Sequence, residues 1–127
     1  MDNNNLTLTI YSSCFELDEF NEKIGEFCEV SNVPPTAKRN IELVMEELVR
    51  NNIAEFIAHN NDMGLPITVN IEHIGISPDT DMTVIYGGER YDPIYDGDEL
   101  SAMVIKKLAS VIKYSFDDGN RLVLKFR

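Results

Sequence analysis

The hydrophobic period changes along this chain, and the change forces strands and helices to share a core. In LTLTIY (6–11) apolar and polar residues alternate, as in a strand with one face covered and the other in water. From Phe15 the spacing lengthens. Leu17, Phe20, Ile24, Phe27 and Cys28 fall three, four, three and one residues apart, one stripe of an amphipathic helix. SNVPP ends that helix, because a residue before proline is pushed out of the helical region. Pro34-Pro35 then opens a second, longer helix over 35–60, with Ile41, Val44, Met45, Leu48 and Ile53 as its core positions.

Asn60-Asn61-Asp62-Met63-Gly64 reads as a helix stop followed by a turn. PITVNIEHI (66–74) and DMTVIY (81–86) return to the strand period, joined by a loop carrying Ser77-Pro78-Asp79. The acidic, glycine-bearing stretch YGGERYDPIYDGDEL (86–100) leads into a third helix at 98–109. VIKYSF (111–116) and RLVLKF (121–126) are the last strands, and Asp117-Asp118-Gly119-Asn120 between them is a hairpin turn. The order strand, helix, helix, strand, strand, helix, strand, strand predicts one domain over 1–127. Its class is α/β (α+β): a two-layer sandwich with a mixed, largely antiparallel sheet and helices on one face.

Charge narrows the partners. The chain carries 22 Asp and Glu against 11 Lys and Arg, a formal net charge of −11. The basic residues are scattered apart from Lys38-Arg39 and Lys106-Lys107, so no patch suits a polyanion and nucleic acid is not an expected partner. The acidity serves solubility, or it faces a basic protein. No run approaches the roughly 20 apolar residues of a membrane span, and MDNNNLTL has neither the basic start nor the apolar run of a secretion signal. Two cysteines, Cys14 and Cys28, form no CxxC and no disulfide framework, so the expected compartment is a reducing cytoplasm.

On the long helix, Glu47 and Asn51 stand four residues apart and share a face. An amide oxygen there suits a place beside Mg²⁺, which keeps several waters and borrows phosphate oxygens, and the carboxylate suits orienting a water or accepting a hydroxyl proton. Two solvated surface residues are the plain alternative. His59 and His73 have no partner at zinc-ligand spacing, Cys14 and Cys28 read as packing residues, and the acidic run 92–99 lacks the spacing of an EF-hand.

MEELVRNNI, followed at a distance by GGERYDP, KKLASVIKY and DGNRLVLKF, resembles the histidine-kinase-like ATPase superfamily. Within it the nearest likeness is to the small anti-sigma-factor serine kinases of bacteria, over nearly the whole chain in element order and length. The family's helix motif, a glutamate, three residues, then asparagine, maps onto Glu47 and Asn51. The resemblance implies that Asn51 holds Mg²⁺ and that Glu47 is the catalytic base or orients water. The family's Asp-x-Gly followed by Phe-Asp-Pro maps onto Tyr86-Gly87-Gly88 and Tyr91-Asp92-Pro93. Gly88 and Asp92 fit. Tyr86 replaces the aspartate that accepts a hydrogen bond from the adenine amino group, and it is longer and bulkier. The family's Gly-x-Gly, whose backbone N–H groups approach the triphosphate, falls on Glu99 and Ser101.

Both replacements oppose phosphate binding. Two unit charges about 4 Å apart repel by on the order of 4 kcal/mol at an effective dielectric of about 20. Asp96 with Glu99 three residues on has instead the form of a capping box, with Gly97 keeping the loop flexible. The chain is thus expected to fill a phosphate site with its own carboxylates. The favoured reading is a regulatory anti-sigma-factor-like protein-interaction domain with weakened or lost ATP binding. The resemblance then implies a sigma factor or an anti-sigma antagonist as partner, with homodimerisation through the sheet or first helix. The alternative is an active ATP/Mg-dependent serine protein kinase that phosphorylates an antagonist. ATP or ADP with Mg²⁺ is the cofactor of the second reading, and none is required by the first. A third reading is an unrelated two-layer α/β binding domain.

Overall fold

The alternation in LTLTIY belongs to an edge strand, β1 (Asn3–Tyr11), three residues longer than its apolar pattern. A computed structural model describes residues 3–12, 16–60, 64–74 and 76–127. The Ser-Ser-Cys turn at Cys14, the helix start at Phe15 and the centre of the 60–64 turn lie outside the described residues. The expected sheet forms from β1, β2 (Pro66–Ile74), β3 (Thr80–Tyr86), β4 (Val111–Phe116) and β5 (Asn120–Phe126). Its order is β1-β2-β3-β5-β4 and every pairing is antiparallel. The sheet is therefore antiparallel throughout, not mixed.

Register turns the period-2 pattern into layers. Leu8, Val69, Val84 and Leu122 lie in one row across the sheet, and all are buried. The neighbouring outward row, Thr7, Asn70, Thr83 and Val123, faces away. The helices cover only the inner face and close a single hydrophobic core with it. This is the two-layer arrangement, with α1 (Leu17–Val30), a long helical rod from Pro35 to His59, and α4 (Glu99–Leu108) as the second layer.

Helix α1 ends on Asn32 rather than on the prolines. Asn32 is left-handed (φ 59) and Val33 N–H reaches back to Cys28 O at 2.9 Å, a Schellman closure that satisfies a free carbonyl. The rod begins with Pro35 at its first turn, where a missing N–H costs nothing. It is made of α2 (Pro35–Val44), a π-helical segment (Met45–Ile53) and α3 (Ala54–His59), with helical backbone across both junctions. Ala54 N–H bonds Val49 O, five residues back. The expected core positions Ile41, Val44, Met45, Leu48 and Ile53 are all fully buried. An uninterrupted α-helix was the expectation from periodicity. The wider turn is the difference, and it falls on MEELVRNNI, the segment carrying the candidate pair. Such π turns recur at functional sites.

No helix among the described residues is long and apolar enough to cross a membrane. The last hairpin forms as expected, but its left-handed residue is Asp118 (φ 63), with Asp117 N–H on Gly119 O.

Candidate functional site

Glu47 and Asn51 sit on the rim of a cleft of about 580 Å³ between the rod and the start of α4. Asn51 Nδ2 donates to Glu47 Oε2 at 3.2 Å, so the pair meets directly. Asn52, Phe56, Tyr91, Asp98 and Ser101 also line the cleft. Of the residues marked in the sequence, Glu47, Asn51 and Ser101 are thus brought together. Tyr86, Gly88, Asp92 and Glu99 are not part of this lining.

The cleft's floor is built by a residue one step from the expected pair. Asn52 falls on the buried stripe of Met45, Leu48, Val49 and Ile53. A polar side chain there must find partners or pay its desolvation cost. It finds them on the 86–98 loop: Asn52 Nδ2 donates to Pro93 O at 3.3 Å, and Tyr91 Oη donates to Asn52 Oδ1. The same bond lays the Tyr91 ring flat on Phe56, with centroids 3.9 Å apart and planes 9° from parallel. The flat, apolar surface of Phe56 is therefore covered by an internal ring.

Tyr86 is buried at the end of β3, and its hydroxyl donates to Tyr91 O at 2.6 Å. Its oxygen holds the loop. Gly88 is left-handed (φ 86), the conformation glycine enters at least cost, and it turns the chain out of the sheet. Directly across the ladder from Tyr86 stands Asn120, fully buried. Its Nδ2 faces the carbonyls of Tyr86, Gly87 and Glu89 at 3.0–3.3 Å, and its Oδ1 accepts from Tyr91 N at 2.8 Å and from the Tyr114 hydroxyl. One amide thus gathers the whole start of the loop.

The acidic run is spent on backbone. Asp92 Oδ1 accepts from Ile94 N at 3.0 Å, and Asp96 Oδ2 accepts from Asp92 N at 3.0 Å, closing a short turn. The capping box expected from Asp96 and Glu99 does not form, because Asp96 is committed to that turn. The N-cap of α4 is Asp98, whose Oδ2 accepts from Ser101 N at 3.0 Å. Glu99 is exposed on the first turn. Gly97 was expected to supply flexibility. Its role is space: a Cβ there would lie 2.5 Å from Pro93 O and 2.8 Å from Tyr91 Oη.

Burial, then the nearby Asp96 and Asp92 carboxylates, raises Tyr91 above the usual tyrosine range. Burial, then Tyr114 and Asp92, pushes Tyr86 further in the same direction. Elsewhere burial, reinforced by Glu42, pushes the Cys28 thiol up to about 11, which keeps it protonated and unreactive. These groups hold protons in the folded chain at pH values where the unfolded chain has lost them. Their contribution to stability is therefore full below about pH 9 and falls as pH climbs past the unfolded thiol and phenol values of about 9 and 10. Thermal melts between pH 8 and 11 are expected to show that fall, and Tyr86→Phe should make it shallower above pH 10. An unchanged slope in the variant would remove Tyr86 from this account.

His73 is a buried sheet residue whose Nδ1 is 2.9 Å from Thr80 Oγ1, whereas His59 lines the cleft, so the two histidines are not neighbours in one site. No cluster of three or more metal-ligating side chains occurs among the described residues. Sequence reasoning missed Asn52 and Asn120. The readable signal was a polar residue on an apolar stripe in one case and on the inward strand positions in the other. Compared with models of protein families and with curated proteins, the chain matches none.

Proposed function

We propose that this chain is a regulatory protein-interaction domain on a histidine-kinase-like ATPase fold, similar to small anti-sigma-factor kinases, with its nucleotide site closed by its own side chains. The observation that carries the reading is the Asp98 carboxylate on Ser101 N–H at the N-terminus of α4. Free N–H groups at a helix start are what a phosphate needs. Here a side-chain anion already holds one of them. The Phe56–Tyr91 stack supports the same reading, since a base entering the cleft would have to displace an internal ring. A sigma factor or an anti-sigma antagonist is the partner class that follows from the resemblance.

The meeting of Glu47 and Asn51 on the cleft rim favours the second reading, an active ATP/Mg-dependent serine kinase with Glu47 as base and Asn51 on Mg²⁺. Calorimetric titration of the full chain with ATP and ADP, with and without Mg²⁺, separates the two. The expected result is no binding heat and no thermal stabilisation up to about millimolar nucleotide, a binding free energy no better than about −4 kcal/mol. Magnesium-dependent binding that disappears in Asn51→Ala would overturn the closed-site reading and install the kinase.

A further inference from the structure

Helix α4 is apolar on two sides. Its inner side buries Ser101, Ala102 and Ile105 against the core. Its outer side presents Leu100, Met103 and Val104, which are 71%, 55% and 42% exposed. With Lys107 these positions follow the i, i+3, i+4, i+7 spacing of a single helix face. A surface helix ordinarily keeps that face polar, and an apolar stripe left in water marks a contact surface.

The stripe forms one wall of a groove of about 510 Å³ that also takes in Glu47, Asp98 and Ser101. Those three residues line the cleft as well, so the apolar stripe runs into the acidic rim without a break. At the junction Ser101 Oγ is buried and has no hydrogen-bond partner. Carboxylates thus stand at one end of the stripe and the Lys107 ammonium at the other.

We infer that the α4 stripe and its adjoining carboxylates dock an amphipathic helix from a basic protein partner, an inference that rests on the interaction-module reading. Apolar residues of the partner cover Leu100, Met103 and Val104, and its Lys or Arg side chains lie toward Glu47 and Asp98. The spacing of the stripe is that of helix-in-groove recognition. Charge decides the occupant. A second copy would bring two chains of net charge −11 together, a repulsion that a basic helix does not meet. A basic helix is drawn in by the same field and held in register by the opposite charges at the two ends.

The test uses the full chain and three labelled synthetic peptides in fluorescence anisotropy. One has a leucine stripe at helical spacing flanked by arginines, one has the same composition scrambled, and one has the stripe with glutamate replacing arginine. The striped basic peptide is expected to bind at least about tenfold more tightly than either control. Leu100→Gln with Met103→Gln, which leaves the charge unchanged, should weaken it about tenfold, the scale of a lost apolar anchor. Glu47→Gln should weaken it less and flatten its salt dependence. Both apolar positions are exposed, so circular dichroism should be unchanged, and Val104→Gln serves if the double variant misfolds. Equal binding of striped and scrambled peptides, or no loss in the Gln variants, overturns the groove. So does a dimer in sedimentation that the Gln variants dissociate, which would give the face to a second copy. Nucleotide binding in calorimetry would remove the module reading while leaving a positive peptide result standing. Peptide failure without nucleotide binding removes the groove alone.

Discussion

Asn120→Ala is expected to lower stability by about 3–5 kcal/mol, far more than an exposed asparagine would. The side chain is fully buried and meets three carbonyls, one backbone N–H and one hydroxyl. Alanine removes all of these at once and puts nothing in their place. Each buried polar group left without a partner costs about 1–3 kcal/mol, but the carbonyls of Gly87 and Glu89 and the Tyr114 hydroxyl are only part-buried and can turn to water, which caps the sum. The buried Tyr86 carbonyl is less able to do so.

Equilibrium urea unfolding measures the effect directly, and the midpoint of a thermal melt should fall by roughly 10–20 °C for a domain of this size. Asn51→Ala is the control. It makes the same chemical change on an exposed residue whose side-chain hydrogen bond runs to Glu47, four residues away on the same helix, worth about 0.2–0.5 kcal/mol. If the two variants lose equal stability, Asn120 is not the hub of the loop. A broadened transition in Asn120→Ala would instead mean that the 86–98 loop unfolds separately from the sheet.

Asn120 also marks where sequence reading stops. The periods of LTLTIY, PITVNIEHI and RLVLKF announced which strand residues face inward, and the stripe of Ile41, Val44, Met45 and Leu48 announced the rod. These patterns are legible because burial depends on local spacing. The cleft does not. Asn52 finds its partners 39 and 41 residues away, and Asn120 reaches 29 residues back to Tyr91. Nothing in local spacing names such a partner, although a polar residue on a buried stripe announces that one exists. The N-cap shows the same division. Asp96 and Asp98 are both sound caps on local grounds, and the choice fell to Asp98 because the 92–96 turn claimed Asp96. The π-helical turn carries no composition signal of its own. It accompanies the burial of Asn52 beside an exposed Asn51, and that arrangement is a tertiary fact.

Gly97→Ala tests whether the cleft floor is as tightly closed as its contacts imply. The added methyl would sit 2.5 Å from Pro93 O, 2.8 Å from Tyr91 Oη and 3.0 Å from Asn52 Nδ2. Real Cβ atoms do not approach a backbone oxygen so closely, and a backbone oxygen inside a hydrogen-bonded turn cannot swing aside as a side-chain end does. The chain must either move the 92–96 turn or push Tyr91 off Asn52. Overpacking of this kind costs about 1–3 kcal/mol, and loss of the Tyr91–Asn52 bond adds to it, so the expected destabilisation is about 2–4 kcal/mol. The consequence reaches beyond stability. With Tyr91 displaced, its hydroxyl leaves the buried site beside the Asp96 and Asp92 carboxylates, and its titration should move back toward the ordinary tyrosine range. Spectrophotometric titration of Gly97→Ala against the parent chain reads that shift, with Tyr91→Phe identifying which phenol has moved. A stable variant with an unchanged titration would mean that the loop leaves room at Gly97. The floor would then be open, and the case for a nucleotide site closed from within would lose its aromatic half.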